Sequence, residues 1–241
     1  MTCICFDLDG TLCDLWQGEG IAKFTLLDEL VKYSETPREI ISKTYDATWA
    51  ELKQRYMKMV DEGLTEHMIR SLHMSTVFEK YNINENPDQL ATLHVETTMA
   101  NIEIYSDAEK VVTELAKQYP VCMITNGATD NQREKIKRLP FRKQFKEIII
   151  SQELGHHKPS RVIFDTMAKR MNTEPSKMIY IGNDYRKDVL GARDAGWKTV
   201  WVDRKDEEMD RSVPDWTINE LSELLDIFRQ GSGPNQFFYS F

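Results

Sequence analysis

Residues 3–11, CICFDLDGT, decide the fold, because an apolar run leads directly into two acids and a Gly-Thr turn. Residues two apart on a β-strand project to the same face about 6.6 to 7 Å apart, which places Asp7 and Asp9 side by side. Two ionised carboxylates that close repel each other in a partly buried site, unless one takes a proton or a divalent cation neutralises them. Gly10 permits a tight turn, and Thr11 offers a hydroxyl and a backbone N–H to a bound anion. The stretch therefore predicts a buried strand that ends in a reactive site.

Four later runs share the apolar character of this first strand: residues 121–124, 148–150, 178–181 and 200–202. Continuous rather than alternating apolarity is typical of strands covered on both faces, as in a parallel sheet. Helical patterns follow most of these runs, and strands that alternate with helices favour an α/β fold. We therefore predict a doubly wound, mostly parallel, Rossmann-like core built from residues 1–14 and 103–230.

Residues 15–102 have a different texture, in which one helical pattern follows another, and we predict that they form an inserted α-helical cap. Thr65 and Asn86-Pro87 are typical helix starts. Three aromatic residues recur nearby at helical spacing, and we interpret them as the core of a small bundle: Tyr45, Trp49 and Tyr56. Residues 231–241 combine a Gly/Ser/Pro link with aromatic residues, and we expect a C-terminal tail whose role the sequence leaves open.

The composition indicates an acidic globular protein. The chain has 241 residues and a formal net charge of −8 at pH 7. No basic stripe is present, which argues against a nucleic-acid partner, because phosphate binding there needs clustered Lys and Arg. We see no secretory signal and no apolar run of about 20 residues, so we expect a cytoplasmic protein without a membrane partner. The four cysteines have no metal-binding spacing and are interpreted as buried thiols; a monomer and a homodimer both stay open.

Two further strand ends carry polar residues that suit an anionic ligand. In a doubly wound fold, ligands collect at the carboxyl ends of the strands. Thr125, Asn126 and Gly127 close the second apolar run, and a hydroxyl and an amide before a glycine can hold phosphate oxygens. Lys158 precedes Pro159 near the start of a helix, where its ammonium can reach an anionic oxygen. Each signal is weak alone, and their shared position at strand ends is what gives them weight.

A fourth strand end leads into an acidic segment, Gly182-Asn183-Asp184 followed by Asp188. Asp184 and Asp188 are four residues apart and share one face of a helix. Acids at a helix start also compensate the helix dipole without any further role. The segment therefore indicates a functional site only in combination with the polar residues at the other three strand ends.

Together these motifs resemble the haloacid dehalogenase-like hydrolase superfamily, most of whose members are Mg²⁺-dependent phosphatases. The resemblance follows the whole chain in order, from residues 7–11 through Thr125 and Lys158 to residues 182–188. The helical insert between the first two motifs is similar to the helical-cap subfamily. Residues 125–127, with residues 132–135 nearby, are similar to nucleotidases and sugar-phosphate phosphatases. One departure concerns the metal, since many relatives have Gly-Asp where this chain has Gly-Asn. The ligand is then either the next acid or the amide oxygen.

The resemblance implies a phosphoric monoester hydrolase in which Asp7 attacks phosphorus to give an aspartyl-phosphate. Asp9 then protonates the leaving group and later deprotonates the hydrolytic water. The resemblance assigns the phosphoryl group to these residues: Thr11, Thr125, Asn126, Gly127 and Lys158. It implies Mg²⁺ as the cofactor, with these candidate ligands: Asp7, Asp9, Asn183, Asp184 and Asp188.

Alternatives to a phosphatase stay open at this point. A phosphomutase keeps the same residues and returns the phosphate to its substrate. A dehalogenase uses the first acid against carbon, but relatives of that type need no metal and lack the second acid, Asp9. A catalytically silent phosphate-ligand binding protein would share the fold. We expect a small phosphorylated metabolite, either a nucleoside monophosphate or a sugar phosphate, without a choice between them.

Overall fold

The computed structural model describes residues 1–229, and a six-stranded parallel sheet forms its centre. The eight strands in chain order are β1 (Cys3–Phe6), β2 (Cys13–Asp14), β3 (Glu103–Ile104), β4 (Val121–Thr125), β5 (Phe145–Ile150), β6 (Met178–Gly182), β7 (Lys198–Val202) and β8 (Trp216–Ile218). The sheet order is β5-β4-β1-β6-β7-β8, and every pair in it is parallel. The short strands β2 and β3 pair separately and antiparallel. The predicted doubly wound, mostly parallel sheet is confirmed, and the predicted tail at residues 231–241 lies outside the described residues.

Five helices lie between β2 and β3: α1 (Leu15–Leu30), α2 (Arg38–Lys53), α3 (Tyr56–Asp61), α4 (Glu66–Tyr81) and α5 (Pro87–Ala100). Thr65 caps α4 by accepting a hydrogen bond from the backbone of Met68, and Asn86 caps α5 in the same way. Helices α1, α2, α4 and α5 contribute to a hydrophobic cluster of their own. This cluster supports the predicted helical cap, whose boundaries stay a proposal.

The remaining helices cover the two faces of the sheet: α6 (Ala108–Ala116), α7 (Thr129–Arg138), α8 (Ser151–Leu154), α9 (Arg161–Arg170), α10 (Gly191–Asp194) and α11 (Leu224–Arg229). One face packs on apolar side chains of α6, α7 and α11, and the other packs on α9 and α10. Every residue of β1, β4 and β6 is buried. Burial on both faces explains why these strands are continuously apolar in the sequence.

The sheet order brings three of the four polar strand ends together. β1 lies between β4 and β6, so the residues after β1 are flanked by Thr125 on one side and Gly182 on the other. The backbone N–H of Asp7 donates to Ile181 O at 2.9 Å and continues the β1–β6 pairing into the acidic motif. Gly10 then turns the chain with φ of +83°, a conformation that favours glycine. These contacts place Asp7 at the carboxyl edge of the sheet.

Candidate active site

Lys158 is the centre of the charge network at this edge. Its ammonium donates to Asp7 Oδ1 at 2.6 Å, to Asp188 Oδ1 at 2.8 Å and to the Tyr180 hydroxyl at 2.9 Å. Asn126 holds the lysine backbone from both sides, because its amide donates to Lys158 O and its carbonyl accepts from Lys158 N, each at 2.9 Å. One buried cation therefore separates two buried carboxylates that come from different strand ends.

The electrostatics of this cluster are those of a buried triad. Burial raises the pKa of Asp7 to about 7; the Lys158 ammonium opposes this rise, and the charges of Asp188 and Asp9 add to it. Burial disfavours the charge on Lys158, yet the carboxylates of Asp188 and Asp7 outweigh burial and raise its pKa. Asp7 is thus a carboxylate whose charge is costly to bury and depends on neighbouring cations.

The acidic segment after β6 is folded onto the same cluster. Asp188 Oδ2 accepts from the backbone of Asp184 at 2.9 Å. Asp184 in turn accepts from Lys187 Nζ at 2.6 Å, and although burial opposes ionisation, hydrogen bonds from Lys187 lower its pKa. Asn183 also lines the site, and its Oδ1 accepts from the Thr11 hydroxyl at 3.2 Å.

Asp9 has two partners to which the sequence analysis assigned no role. Lys135 Nζ lies 2.9 Å from both carboxylate oxygens of Asp9, and Gln132 Nε2 donates to Asp9 Oδ2 at 3.0 Å. Burial disfavours the charge on Lys135, but the Asp9 carboxylate outweighs it and raises the pKa of this lysine. Both residues lie on α7, directly after the Thr125 strand end. Their position on the helix that follows a motif strand was the available signal.

A cavity of about 170 Å³ unites most of the predicted site residues. Its walls include Asp7, Asp9, Thr125, Asn126, Lys158, Asn183, Asp184 and Asp188. Thr11 and Gly127 do not line this cavity. The Thr11 hydroxyl donates to Asn183, and the backbone N–H of Gly127 donates to Ser151 Oγ at 3.0 Å. Their assignment to the phosphoryl group stays a prediction.

A second cavity, of about 510 Å³, lies between the inserted helices and the core. It shares four lining residues with the first: Asp9, Trp16, Asn126 and Lys187. The aromatic residues interpreted as bundle core line this cavity: Tyr45, Trp49 and Tyr56. Tyr45 is buried in the helical cluster as expected. Trp49 and Tyr56 are partly buried and pack edge to face on each other against a second apolar cluster that includes Met59 and Ile69.

The donor set of the smaller cavity fits a hard cation. Asp7, Asp184 and Asp188 provide carboxylate oxygens and Asn183 an amide oxygen, which are ligands that Mg²⁺ prefers. Within residues 1–229, no three His, Cys, Asp or Glu side chains form a complete metal cluster. The ammonium groups of Lys158 and Lys187 bind these carboxylates instead. The chemistry of the ligands thus suits Mg²⁺, in a site where cations already neutralise the acids.

A parallel sheet that presents an acid pair, a buried lysine and a second acidic segment at one edge is the framework of a Rossmann-like hydrolase. Residues 4–202 match the haloacid dehalogenase-like hydrolase family, and the chain belongs to this family. The predicted resemblance is confirmed.

Curated relatives include several phosphatases. A glyceraldehyde 3-phosphate phosphatase from Methanopyrus kandleri is 30% identical over 194 residues, which cover 77% of this chain and 82% of that protein. The Pyrococcus furiosus protein of the same name is 26% identical and covers 97% of this chain and 95% of its own length. A rat N-acylneuraminate-9-phosphatase is 25% identical, with 83% and 81% covered. These relatives agree with the predicted phosphoric monoester hydrolase.

Solved structures show the same fold. The HAD-hydrolase YfnB from Bacillus subtilis, bound to magnesium, has a TM-score of 0.73 at 20% identity and covers 95% of this chain and 98% of that one. A 2-haloacid dehalogenase from Pseudomonas syringae has a TM-score of 0.68 at 22% identity, with 96% and 99% covered. Because phosphate and halide chemistry share this fold, the choice between them depends on the site residues. Within residues 1–229, every helix is too short or too polar to cross a bilayer.

Proposed function

We propose that this protein is a Mg²⁺-dependent phosphatase that hydrolyses a small phosphorylated metabolite through an aspartyl-phosphate at Asp7. The observation that carries the proposal is the buried carboxylate of Asp7, held 2.6 Å from Lys158 at a cavity that also contains Asp9. A nucleophile that a cation orients, beside a second acid for proton transfer, is the equipment that phosphoryl transfer needs.

In the first step, a carboxylate oxygen of Asp7 attacks phosphorus while the bond to the ester oxygen breaks. The leaving oxygen takes both electrons of that bond and receives the proton of Asp9, so an alcohol departs. Lys158 lies beside both the nucleophile and the transferred group and stabilises the negative charge on the phosphoryl oxygens. The products of this step are the free alcohol, the aspartyl-phosphate and ionised Asp9.

In the second step, Asp9 takes a proton from water as the water oxygen attacks phosphorus. The bond between phosphorus and Asp7 breaks, and its electrons return to the carboxylate. Inorganic phosphate leaves, and both acids regain their starting protonation states. The cycle consumes one water and needs no other reactant.

Mg²⁺ would be held by Asp7, by the backbone carbonyl of Asp9 and by Asp184, and it would reduce the repulsion between the nucleophile and an anionic substrate. We assign the ligand to Asp184 rather than to Asn183, because a neutral amide gives a weaker bond to a hard cation than a carboxylate does. Asp188 accepts hydrogen bonds from the ammonium of Lys158 and from the backbone N–H of Asp184. It would therefore fix the proposed metal ligand Asp184 relative to Lys158.

The substrate of the proposal is a phosphorylated sugar or a nucleoside monophosphate. The 510 Å³ cavity combines aromatic faces with charged groups, including Glu19, Lys23 and Arg70, and such a lining suits a polyhydroxylated leaving group. The relatives named for sugar-phosphate hydrolysis favour the sugar phosphate. Three cationic residues within residues 15–102 line this cavity: Lys23, Lys53 and Arg70. Of these, Arg70 has a buried side chain.

A phosphomutase is the nearest rival, because it needs the same first step and differs in the acceptor of the phosphate. A dehalogenase is disfavoured, since the partners of Asp9 are arranged around an acid that carbon–halogen cleavage does not use. The two remaining activities differ in their products, so an assay that follows both products separates them.

The test is a panel of sugar phosphates and nucleoside monophosphates, assayed for free phosphate with Mg²⁺ and, in parallel, with EDTA. We expect phosphate release that EDTA abolishes and that Asp7→Asn lowers by about 1,000-fold or more. ³¹P NMR of the same reactions shows whether phosphate moves to a new position on the sugar. Phosphate release that survives either EDTA or Asp7→Asn contradicts the proposal, and phosphate movement without release favours the mutase.

A further inference from the structure

We propose that Lys135, assisted by Gln132, is the positioning residue that holds the Asp9 carboxylate against the leaving group. The inference rests on the proposed function, because it concerns proton transfer to the alcohol that departs. It assigns a role to side chains of α7 that lie behind the reacting groups. Lys135 acts through Asp9 and is therefore a positioning residue rather than a catalytic one.

The contact between Lys135 and Asp9 restrains the carboxylate in two directions. The ammonium lies 2.9 Å from Oδ1 and 2.9 Å from Oδ2, so it bridges both oxygens. Gln132 adds a third hydrogen bond, to Oδ2 at 3.0 Å. Rotation of the carboxylate about its Cβ–Cγ bond would break at least one of these bonds. Orientation of a proton donor within a narrow range is a known source of catalytic rate.

Burial of Lys135 is costly for a purely structural residue. Its side chain is 1% exposed. Within residues 1–229, its ion-pair partner is Asp9. Buried ion pairs contribute little net stability compared with apolar side chains of similar volume. The helix is already anchored on the sheet by Ile136, the next residue, which belongs to the main hydrophobic core. A charged residue at this position therefore points to a use for the charge.

Gln132 connects Asp9 to the end of β4. The Thr125 hydroxyl donates to Gln132 Oε1 at 3.1 Å, while the amide of the same glutamine donates to Asp9. Gly127 makes room for this side chain, because a Cβ at that position would lie 2.6 Å from Gln132 Nε2. The backbone of Gly127 also has φ of +145°, which other residues rarely adopt. The Thr-Asn-Gly turn thus shapes the support of Asp9.

The position of Asp9 relative to the two cavities gives its orientation a purpose. Asp9 lines both the 170 Å³ cavity, which contains Asp7 and Lys158, and the 510 Å³ cavity toward the helices. Gln132 and Lys135 line only the larger one. The phosphorus–oxygen bond that breaks would lie at the junction of these cavities, so Asp9 is held where the leaving oxygen needs a proton.

The dependence of rate on the leaving group tests this role. An alkoxide is a poor leaving group and needs a proton from Asp9, whereas p-nitrophenolate departs without one. The ratio kcat/KM reports the steps up to release of the first product, which excludes hydrolysis of the aspartyl-phosphate. We therefore compare kcat/KM for the best alkyl phosphate of the panel and for p-nitrophenyl phosphate, with Mg²⁺ present.

For Lys135→Met we expect kcat/KM to fall by about 100-fold with the alkyl phosphate and by less than about fivefold with the aryl phosphate. Lys135→Arg keeps a cation near Asp9 and should recover part of the alkyl activity. The matched control is Lys137→Met on the same helix, whose side chain is 72% exposed and which should leave both ratios unchanged. Gln132→Leu keeps the ion pair and provides a second, milder variant, with a selective loss of about tenfold on the alkyl ester.

Equal losses on both esters, in variants whose thermal unfolding is cooperative, would overturn the positioning role. Full alkyl activity in Lys135→Met or in Gln132→Leu would do the same. If Lys135→Met does not fold, Gln132→Leu alone decides between a selective and a uniform loss. If the wild-type protein releases phosphate from neither ester, the proposed function itself is contradicted. This result is distinct from equal losses on both esters and from full alkyl activity in a variant.

Discussion

Lys158 Nζ lies 2.6 Å from Asp7 Oδ1, although 151 positions separate the two residues in the chain. The same ammonium reaches Asp188, so residues from three distant segments meet in one buried group. The fold therefore delivers the nucleophile with a positive charge already beside it. Without that charge, two carboxylates would share a buried site, which is costly.

Removal of this cation should damage both stability and activity. In Lys158→Met, Asp7 and Asp188 lose their common partner, and we expect the free energy of unfolding to fall by about 3 to 5 kcal/mol without metal. Added Mg²⁺ should restore part of that loss, because it supplies a new positive charge. Urea unfolding with and without Mg²⁺ measures both effects.

Lys187→Met is the stability control for this experiment. Lys187 pairs with Asp184, but half of its side chain is exposed, and exposed ion pairs contribute about 1 kcal/mol or less. A similar loss in the free energy of unfolding in the two variants would show that the buried ion pairs of Lys158 contribute no more to stability than an exposed pair does.

Gly182 is expected to control the position of Asp188. A Cβ on this residue would lie 2.4 Å from Asp188 Oδ2, closer than atoms can approach. Gly182→Ala must therefore displace the carboxylate that aligns Lys158 and Asp184, and we expect Mg²⁺ affinity to fall by about tenfold. Isothermal titration calorimetry measures the dissociation constant.

The matched control is Gly20→Ala in α1, where a Cβ meets no atom within 4 Å. This change should leave Mg²⁺ affinity unchanged and stabilise the helix by up to about 1 kcal/mol. Unchanged affinity in Gly182→Ala would mean that Asp188 does not shape the metal site.

His73 should make the stability of the protein sensitive to acid. The ring is fully buried, its Nε2 lies 3.0 Å from Thr48 Oγ1 and 3.1 Å from Tyr45 O, and burial lowers its pKa to about 4. The unfolded chain binds this proton more readily, so the stabilisation is complete above about pH 6.5 and is lost as the pH falls to about 4.

Denaturant unfolding at pH 7 and pH 4.5 measures this loss. We expect wild-type protein to lose about 2.5 kcal/mol more than His73→Gln between these values, because glutamine does not titrate. Other acid-sensitive groups contribute equally to both proteins. Identical losses in the two proteins would show that His73 is not protonated on unfolding.

Strand positions were predictable from the sequence because burial on both faces leaves a simple pattern. Residues 121–124, 178–181 and 200–202 all fall within strands β4, β6 and β7. Strand β8, Trp216–Ile218, was missed, since it is only three residues long and partly exposed at the sheet edge. The antiparallel pairing of β2 with β3 was missed for a similar reason, as each has two residues.

Site residues that directly follow strands were predictable from the sequence. Site residues within a helix were not, because the sequence does not show which face of the helix points to the site. Asp7 and Lys158 could be placed at one sheet edge because both follow predicted parallel strands, whose carboxyl ends meet at the same edge. Lys135 lies in the polar run of residues 132–135, which resembles a solvated helix face. Its position on the helix after the Thr125 strand was a signal for a role near the site, but its contact with Asp9 is seen only in the fold. The aromatic stripe was predicted as helix packing, and its three residues do pack in apolar clusters of the inserted helices. That they also line a cavity was not predictable, because helical spacing does not tell a core from a cavity wall.

The most direct test of the phosphoryl acceptor is a crystal structure with Mg²⁺ and beryllium fluoride, which mimics a phosphoryl group on a carboxylate. We predict beryllium bonded to an oxygen of Asp7, a fluoride beside the ammonium of Lys158, and Mg²⁺ within reach of Asp184. Beryllium fluoride bound to any other side chain, with the carboxylate of Asp7 free, would contradict the assignment of Asp7 as the nucleophile.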